Sequence, residues 1–167
     1  MVVEYQYDSR RLSRKYVTVM DELEVVEILN EQYTGDEFPG YENVRVSYPA
    51  LKNIVDRQLS GWVNALKNQK AVYLITDTKT GKLYVGSATS QTGMLLQRWS
   101  DYVADGHGGN IELRELVKQQ GFDYVKENFQ YSILENYNAR MDDEYILKRE
   151  SWWKETLCTR THGYNKN

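Results

Sequence analysis

The sequence is poor in the residues that staple, kink or anchor a chain. A single cysteine, Cys158, among 167 residues rules out an internal disulfide framework and a thiolate metal cluster. Only 2 prolines beside a 41% hydrophobic fraction exclude a disordered or low-complexity chain. No apolar run approaches the ~18 residues that a membrane span needs. The opening Met1-Val2-Val3-Glu4-Tyr5 lacks the basic and apolar regions of a signal peptide. The expectation is a soluble cytoplasmic protein of one domain, or of one domain with an extension. Excess positive charge is also missing, since 24 acids outnumber 21 bases for a net charge of −3. Taken alone, that argues against a nucleic-acid binder, whose footprint is usually basic.

The charge is unevenly spread. Residues 1–35 hold seven acids against four bases, whereas 36–69 balance at four and four and 70–167 at thirteen and thirteen. The whole deficit sits in the first 35 residues. That segment contains two strand-like stretches, 16–19 and 24–29, the second of which is equally compatible with a short helix. Residues 35–40 read as a turn-rich break. Ser47 is a candidate cap for a helix over about 49–67, with Leu51, Ile54, Val55, Leu59, Trp62, Val63 and Leu66 as its packing stripe. Residues 1–69 are therefore read as an N-terminal extension, and its short strands suggest the end of a larger upstream domain.

The pattern sharpens from residue 70. Residues 71–75 read as a strand, 77–81 as a turn and 83–86 as the returning strand. A tight turn between Thr78 and Lys79 pairs Tyr73 with Tyr84 on one face, and a bulge at Gly81 shifts that register. Helices are expected near 93–105 and 110–120, the second ended by Gly121. A third strand is expected at 129–134 and a last helix at 142–157, opened by Asp142, Asp143 and Glu144.

On that last helix Ile146, Glu150, Trp153 and Leu157 share a face. Three are apolar, so the Glu150 carboxylate points the way of the packing surface and requires a partner, either a basic side chain or a metal. Arg98 lies on the first helix after the hairpin, with Tyr102 at i+4. Its guanidinium can bind an oxyanion bidentately, which a lysine cannot imitate.

Together these residues form a more specific pattern. Ala71-Val72-Tyr73, ten residues, then Tyr84-Val85-Gly86, followed in order by Arg98, Tyr102, Glu150 and Asn165, resembles the GIY-YIG nuclease superfamily. Tyr84-Val85-Gly86-Ser87-Ala88 and Gly163-Tyr164-Asn165 look most like the catalytic domains of phage-type homing endonucleases. The resemblance covers about 70–167. Ala71 replaces the first glycine of the signature. Ser87 stands where some members carry a lysine that assists proton transfer, so a lysine-based mechanism is not implied. His107 lies near a position that some members fill with histidine, although Gly108 occupies that column without a gap.

The resemblance implies an α/β (α+β) domain with a small, mainly antiparallel three-stranded sheet flanked by helices. It implies phosphodiester hydrolysis on DNA with one divalent metal ion, Mg²⁺ or Mn²⁺, leaving 5′-phosphate and 3′-hydroxyl ends. Glu150 is the implied metal ligand, which suits a hard cation that keeps several waters. Arg98 is implied to hold a phosphate oxygen, Tyr73 or Tyr84 to orient or deprotonate the attacking water, and Tyr102 to stand alongside. Gly86 and Asn165 are structural supports. Which tyrosine acts as base stays open, because a phenol with an ordinary pKa of ~10 needs help to lose its proton. A charge-balanced module holds DNA weakly, which points to a homodimer or an additional DNA-recognition domain. A structure-specific repair subunit that acts only with partners, and a non-catalytic binding module of the same fold, remain as alternatives.

Overall fold

Where apolar residues alternate or run together the chain forms strands, and where they recur every three or four positions it forms helices. The computed structural model describes residues 2–4, 24–27, 37–89, 92 and 94–166. Contacts divide the chain into two units, Met1–Gly35 and Asp36–Asn167. In the first, β1 (Val2–Glu4) pairs antiparallel with β2 (Glu24–Glu27). The stretch 24–29 is thus a strand where it is described, and the strand expected at 16–19 lies outside the described residues.

The second unit runs β3 (Arg45–Ser47), α1 (Tyr48–Arg57), α2 (Ser60–Leu66), β4 (Gln69–Asp77), β5 (Leu83–Ala88), α3 (Met94–Asp105), α4 (Ile111–Gln120), α5 (Phe122–Asn128), β6 (Phe129–Asn138), α6 (Asp143–Thr156) and α7 (Thr159–His162). Its antiparallel sheet has the order β3-β6-β4-β5, which is four strands rather than the three expected. The added strand is the three-residue β3, too short to show any alternation, and it pairs with β6 at the far edge from β5. No helix among the described residues is long and apolar enough to cross a membrane.

The sheet carries two apolar layers. On one face Tyr73, Ile75, Tyr84 and Tyr131 pack with Leu51 and Ile54 of α1, Leu95, Trp99, Tyr102 and Val103 of α3, and Val125 of α5. Complete burial of such side chains contributes about 1.5–3 kcal/mol each. On the other face Val72 and Val85 pack with Ile146 of α6, flanked by Trp153 and Leu157. Glu135 of β6 fixes that helix, accepting from Trp153 Nε1 at 3.0 Å and from Arg149 Nε at 3.0 Å. Glu150, between those two anchors in sequence, is thereby turned toward β5.

Three further expectations are corrected. The helix expected over 49–67 is two helices, because Gln58 takes a left-handed conformation (φ 50°) and Leu59 N–H bonds back to Ile54 C=O at 3.2 Å. This is a Schellman stop with no glycine or proline to announce it. The hairpin pairs Tyr73 with Gly86 and Ile75 with Tyr84, not Tyr73 with Tyr84. Gly81 (φ 74°) donates to Asp77 C=O, and the lengthened turn moves the register by two, which keeps both tyrosines on one face as diagonal neighbours. Finally, β6 continues to Asn138, and the short α5 fills the interval after Gly121.

Candidate active site

The tyrosine cluster follows from this packing. Tyr73 on β4 and Tyr102 on α3 are fully buried, and Tyr84 on β5 is 6% exposed. Their ring centroids lie 6.0–6.5 Å apart in tilted or edge-on pairs. The Tyr73 and Tyr102 hydroxyls are 3.0 Å apart. Arg98 binds both, donating from Nε to Tyr73 at 2.9 Å and from Nη2 to Tyr102 at 3.2 Å. Its Nη1 donates to Gly108 C=O at 2.6 Å. These bonds use three of five guanidinium N–H donors and leave two without a partner among the described residues.

Two glycines create the seats. A Cβ on Gly86 would stand 2.4 Å from the Tyr73 hydroxyl, and one on Gly108 would stand 2.8 Å from the Tyr102 ring. Gly108 also takes φ 51°, which side chains resist. The glycine of Tyr84-Val85-Gly86 is therefore a steric requirement of the buried phenol opposite it.

Burial pushes the Tyr73 and Tyr102 phenols above their ordinary range, so both stay protonated at neutral pH. Burial works against the Arg98 cation, but the adjacent Tyr73 and Tyr102 oxygens outweigh it and hold the group above its ordinary range. Tyr84 differs from the other phenols: its hydroxyl has no hydrogen-bond partner among the described residues, and it lies near enough to Arg98 to interact with its charge.

Arg98 lines an open cleft of about 320 Å³ with Ser87, Ala88, Thr89, Met94, Gln97 and Asp101. The cleft opens where edge strand β5 meets the start of α3. Ser87, one residue beyond Gly86, points toward the α6 face, and there its Oγ donates a short hydrogen bond to Glu150 Oε2. The other carboxylate oxygen, Oε1, is 2.6 Å from Lys154 Nζ, with the side chains of Lys154 and Glu150 only 6% and 13% exposed. The two faces of the sheet thus meet around its free edge at Ser87.

Asn165 completes that edge. Its side chain accepts from Val85 N–H and donates to Val85 C=O, both at 2.8 Å, while Tyr164 N–H donates to Leu83 C=O at 2.8 Å. Gly163 passes so close that a Cβ would lie 2.1 Å from Leu83 C=O.

His107 stands apart from the cluster. Its Nδ1 accepts from Gly109 N–H at 3.0 Å, and the loop reaches Arg98 through Gly108 instead. Sequence reasoning passed over Lys154 as the specific partner of Glu150. The signal was present, since Glu followed by Lys at i+4 is a favoured helical pair. Ser87 was noted only for the lysine it replaces.

Among the described residues no group of three or more His, Cys, Asp or Glu side chains stands together. Glu150 is a lone carboxylate next to a hydroxyl that lines an open cleft. Such a donor set fits a hard divalent ion that retains most of its waters.

No protein-family model matches the chain, and neither does any curated protein. Two solved structures are similar to it. A mutant form of the catalytic domain of intron endonuclease I-TevI is 27% identical, covering 59% of this chain and 94% of that one at a TM-score of 0.47. The catalytic domain of homing endonuclease I-TevI is 28% identical, covering 57% of this chain and 96% of that one at a TM-score of 0.45.

Proposed function

We propose that the chain is a metal-dependent DNA endonuclease of GIY-YIG type, cutting phosphodiester bonds to leave 5′-phosphate and 3′-hydroxyl ends. The observation that carries this reading is Arg98: a guanidinium locked by two phenols and a carbonyl, with two N–H groups unpartnered among the described residues, lining an open cleft. A preorganised cation of this kind serves an oxyanion whose charge grows during reaction.

In the proposed reaction Arg98 holds the non-bridging oxygens of the scissile phosphate. Tyr73 and Tyr102 keep the guanidinium in place and do not themselves give up protons. Tyr84, whose hydroxyl is not claimed by Arg98, orients the attacking water and accepts its proton as it releases its own to solvent. The water oxygen bonds to phosphorus, the bond from phosphorus to the 3′-oxygen breaks, and that oxygen takes a proton from solvent. Glu150 would hold Mg²⁺ or Mn²⁺, which supplies charge stabilisation at the phosphate and at the leaving oxygen. Gly86 and Asn165 support the edge strand. His107 has no part in these steps.

The charge balance of residues 70–167 supports weak intrinsic DNA binding, and hence a homodimer or an additional recognition domain. The same balance favours, as a second reading, a structure-specific repair subunit that cuts only with its partners. A protein with one cysteine and this activity belongs in the cytoplasm.

The test is incubation of the full chain with plasmid, branched and bubble DNA in Mg²⁺ or Mn²⁺. Duplex cleavage that falls at least ~100-fold in Arg98→Ala and in Glu150→Gln is the expected result. Cleavage of branched or bubble substrates alone selects the second reading. Folded protein that cuts none of them in either metal overturns the proposal for the isolated chain.

A further inference from the structure

Four charged side chains stand at the cleft or directly behind Ser87, and their formal charges sum to zero. Arg98 and Asp101 line the cleft from α3, and Glu150 and Lys154 stand on α6 behind Ser87. Glu150, which reaches the cleft wall through Ser87, already has an ammonium 2.6 Å from Oε1 and a hydroxyl on Oε2. The ion pair is largely shielded from solvent, so its electrostatic effect is not dispersed by water. A divalent cation that approaches before nucleic acid binds therefore meets no net negative charge from these four groups. A phosphodiester on the two Arg98 donors left unpartnered among the described residues changes that by adding one negative charge.

Resting on the nuclease reading above, we infer that Lys154 is a positioning residue that makes ion binding at Glu150 depend on nucleic acid. Lys154 occupies the carboxylate in the free protein and keeps its charge matched. When a phosphodiester enters, Glu150 and the phosphate together present the negative charge a divalent ion requires, and Lys154 shares the carboxylate with it. The coupling is reciprocal: if nucleic acid tightens the ion, the ion tightens nucleic acid by the same factor. The arrangement also keeps the carboxylate seated against Ser87 before substrate arrives, which a bare surface glutamate would not achieve. The protein thus carries no loaded metal while idle.

The experiment measures Mn²⁺ binding to the full chain by electron paramagnetic resonance, with and without a short DNA duplex. Glu150→Gln protein under the same conditions supplies the background of ions bound by the duplex and by other sites. In the unaltered protein, Glu150-dependent affinity is expected to be about tenfold or more weaker without duplex than with it. Lys154→Met, which keeps the apolar stem and removes the charge, is expected to bind Mn²⁺ without duplex about tenfold more tightly than the unaltered protein. Lys154→Arg is expected to restore the dependence on duplex, which a merely structural role for the side chain would not predict.

Equal Glu150-dependent affinity with and without duplex overturns the inference. So does a folded Lys154→Met protein whose duplex-free affinity is unchanged or weaker. If Lys154→Met does not fold, the comparison on the unaltered protein decides alone. Absence of any Glu150-dependent Mn²⁺ binding in the presence of duplex is a different failure. It removes the metal assignment of the nuclease reading, and this inference with it.

Discussion

Two shielded carboxylates stand at opposite ends of the β4–β5 hairpin, and their partners set them apart. Asp77, at the turn, is fully buried and has no cationic partner among the described residues. It accepts from the Tyr164 hydroxyl at 2.7 Å, the Tyr124 hydroxyl at 2.9 Å, Thr80 Oγ1 at 2.7 Å, and the N–H groups of Lys79 and Thr80 at 3.1 and 3.3 Å. Burial works against its charge, but the bonds from Tyr164, Thr80 and Tyr124 hold the carboxyl below the ordinary carboxylate range. Glu150 has one cation and one hydroxyl, and that hydroxyl borders an open cleft. A carboxylate saturated by neutral donors from the turn, α5 and the C-terminal segment is a fastener. One held by a few exchangeable partners beside a cleft is free to change them. The contrast separates stability from chemistry at the two ends of a single hairpin.

The largest expected effects test that separation directly. Glu150→Gln is expected to lower cleavage at least ~100-fold. Its stability cost stays below about 2 kcal/mol, because the amide oxygen still accepts from Lys154 or Ser87. Asp77→Ala is expected to lose about 3 kcal/mol of stability, since two phenols and a hydroxyl are left unpaired. Its cleavage per folded molecule should remain within a few-fold of normal. Urea unfolding and plasmid cleavage on the same preparations check both, and similar profiles for the two variants would break the comparison.

Gly86→Ala sharpens it with a smaller change. The added methyl must push the Tyr73 hydroxyl away, at an expected cost of about 1–3 kcal/mol. Because Tyr73 holds Arg98, cleavage should fall beyond what the lost stability explains, and recovery of full activity at saturating folded protein would count against that link. The mildest effect is the dependence on pH. Asp77, held low, contributes stability that is present above its unfolded pKa of ~3.9 and is lost as pH falls through its folded value. Tyr73 and Tyr102, held high, contribute stability that is present below ~10 and is lost as pH rises through theirs. Thermal melts should therefore show no pH-dependent change from these groups between about pH 6 and 9, where their contributions are fully present, and losses on either side.

Much of the candidate site could be read from the sequence because its residues sit at fixed offsets on regular elements. Tyr73 and Tyr84 lie on paired strands, Arg98 and Tyr102 are one helical turn apart, and Glu150 shares a face with Ile146 and Trp153. The rest depends on tertiary packing. Nothing local identifies Ser87 as the bridge between the two sheet faces, because that role exists only where an edge strand meets α3 and α6. Asp77 reads as an ordinary turn residue until Tyr124 and Tyr164 arrive from elsewhere in the chain. The break at Gln58 carries no glycine or proline, so periodicity ran through it. The fourth strand is three residues long, and its partner β6 lies more than eighty positions away in sequence.

The Asn165 clasp has one more consequence. The N–H and C=O of Val85 are the groups that a strand from another copy would use to extend the sheet, and Asn165 occupies both. Exposed strand edges invite such self-association, and covering them is how folded proteins prevent it. Two copies of this chain cannot join through β5 into one continuous sheet unless the C-terminal segment first lets go. Any pairing of copies that spares the clasp is confined to other surfaces and leaves the cleft beside β5 open to a long polymer passing across it.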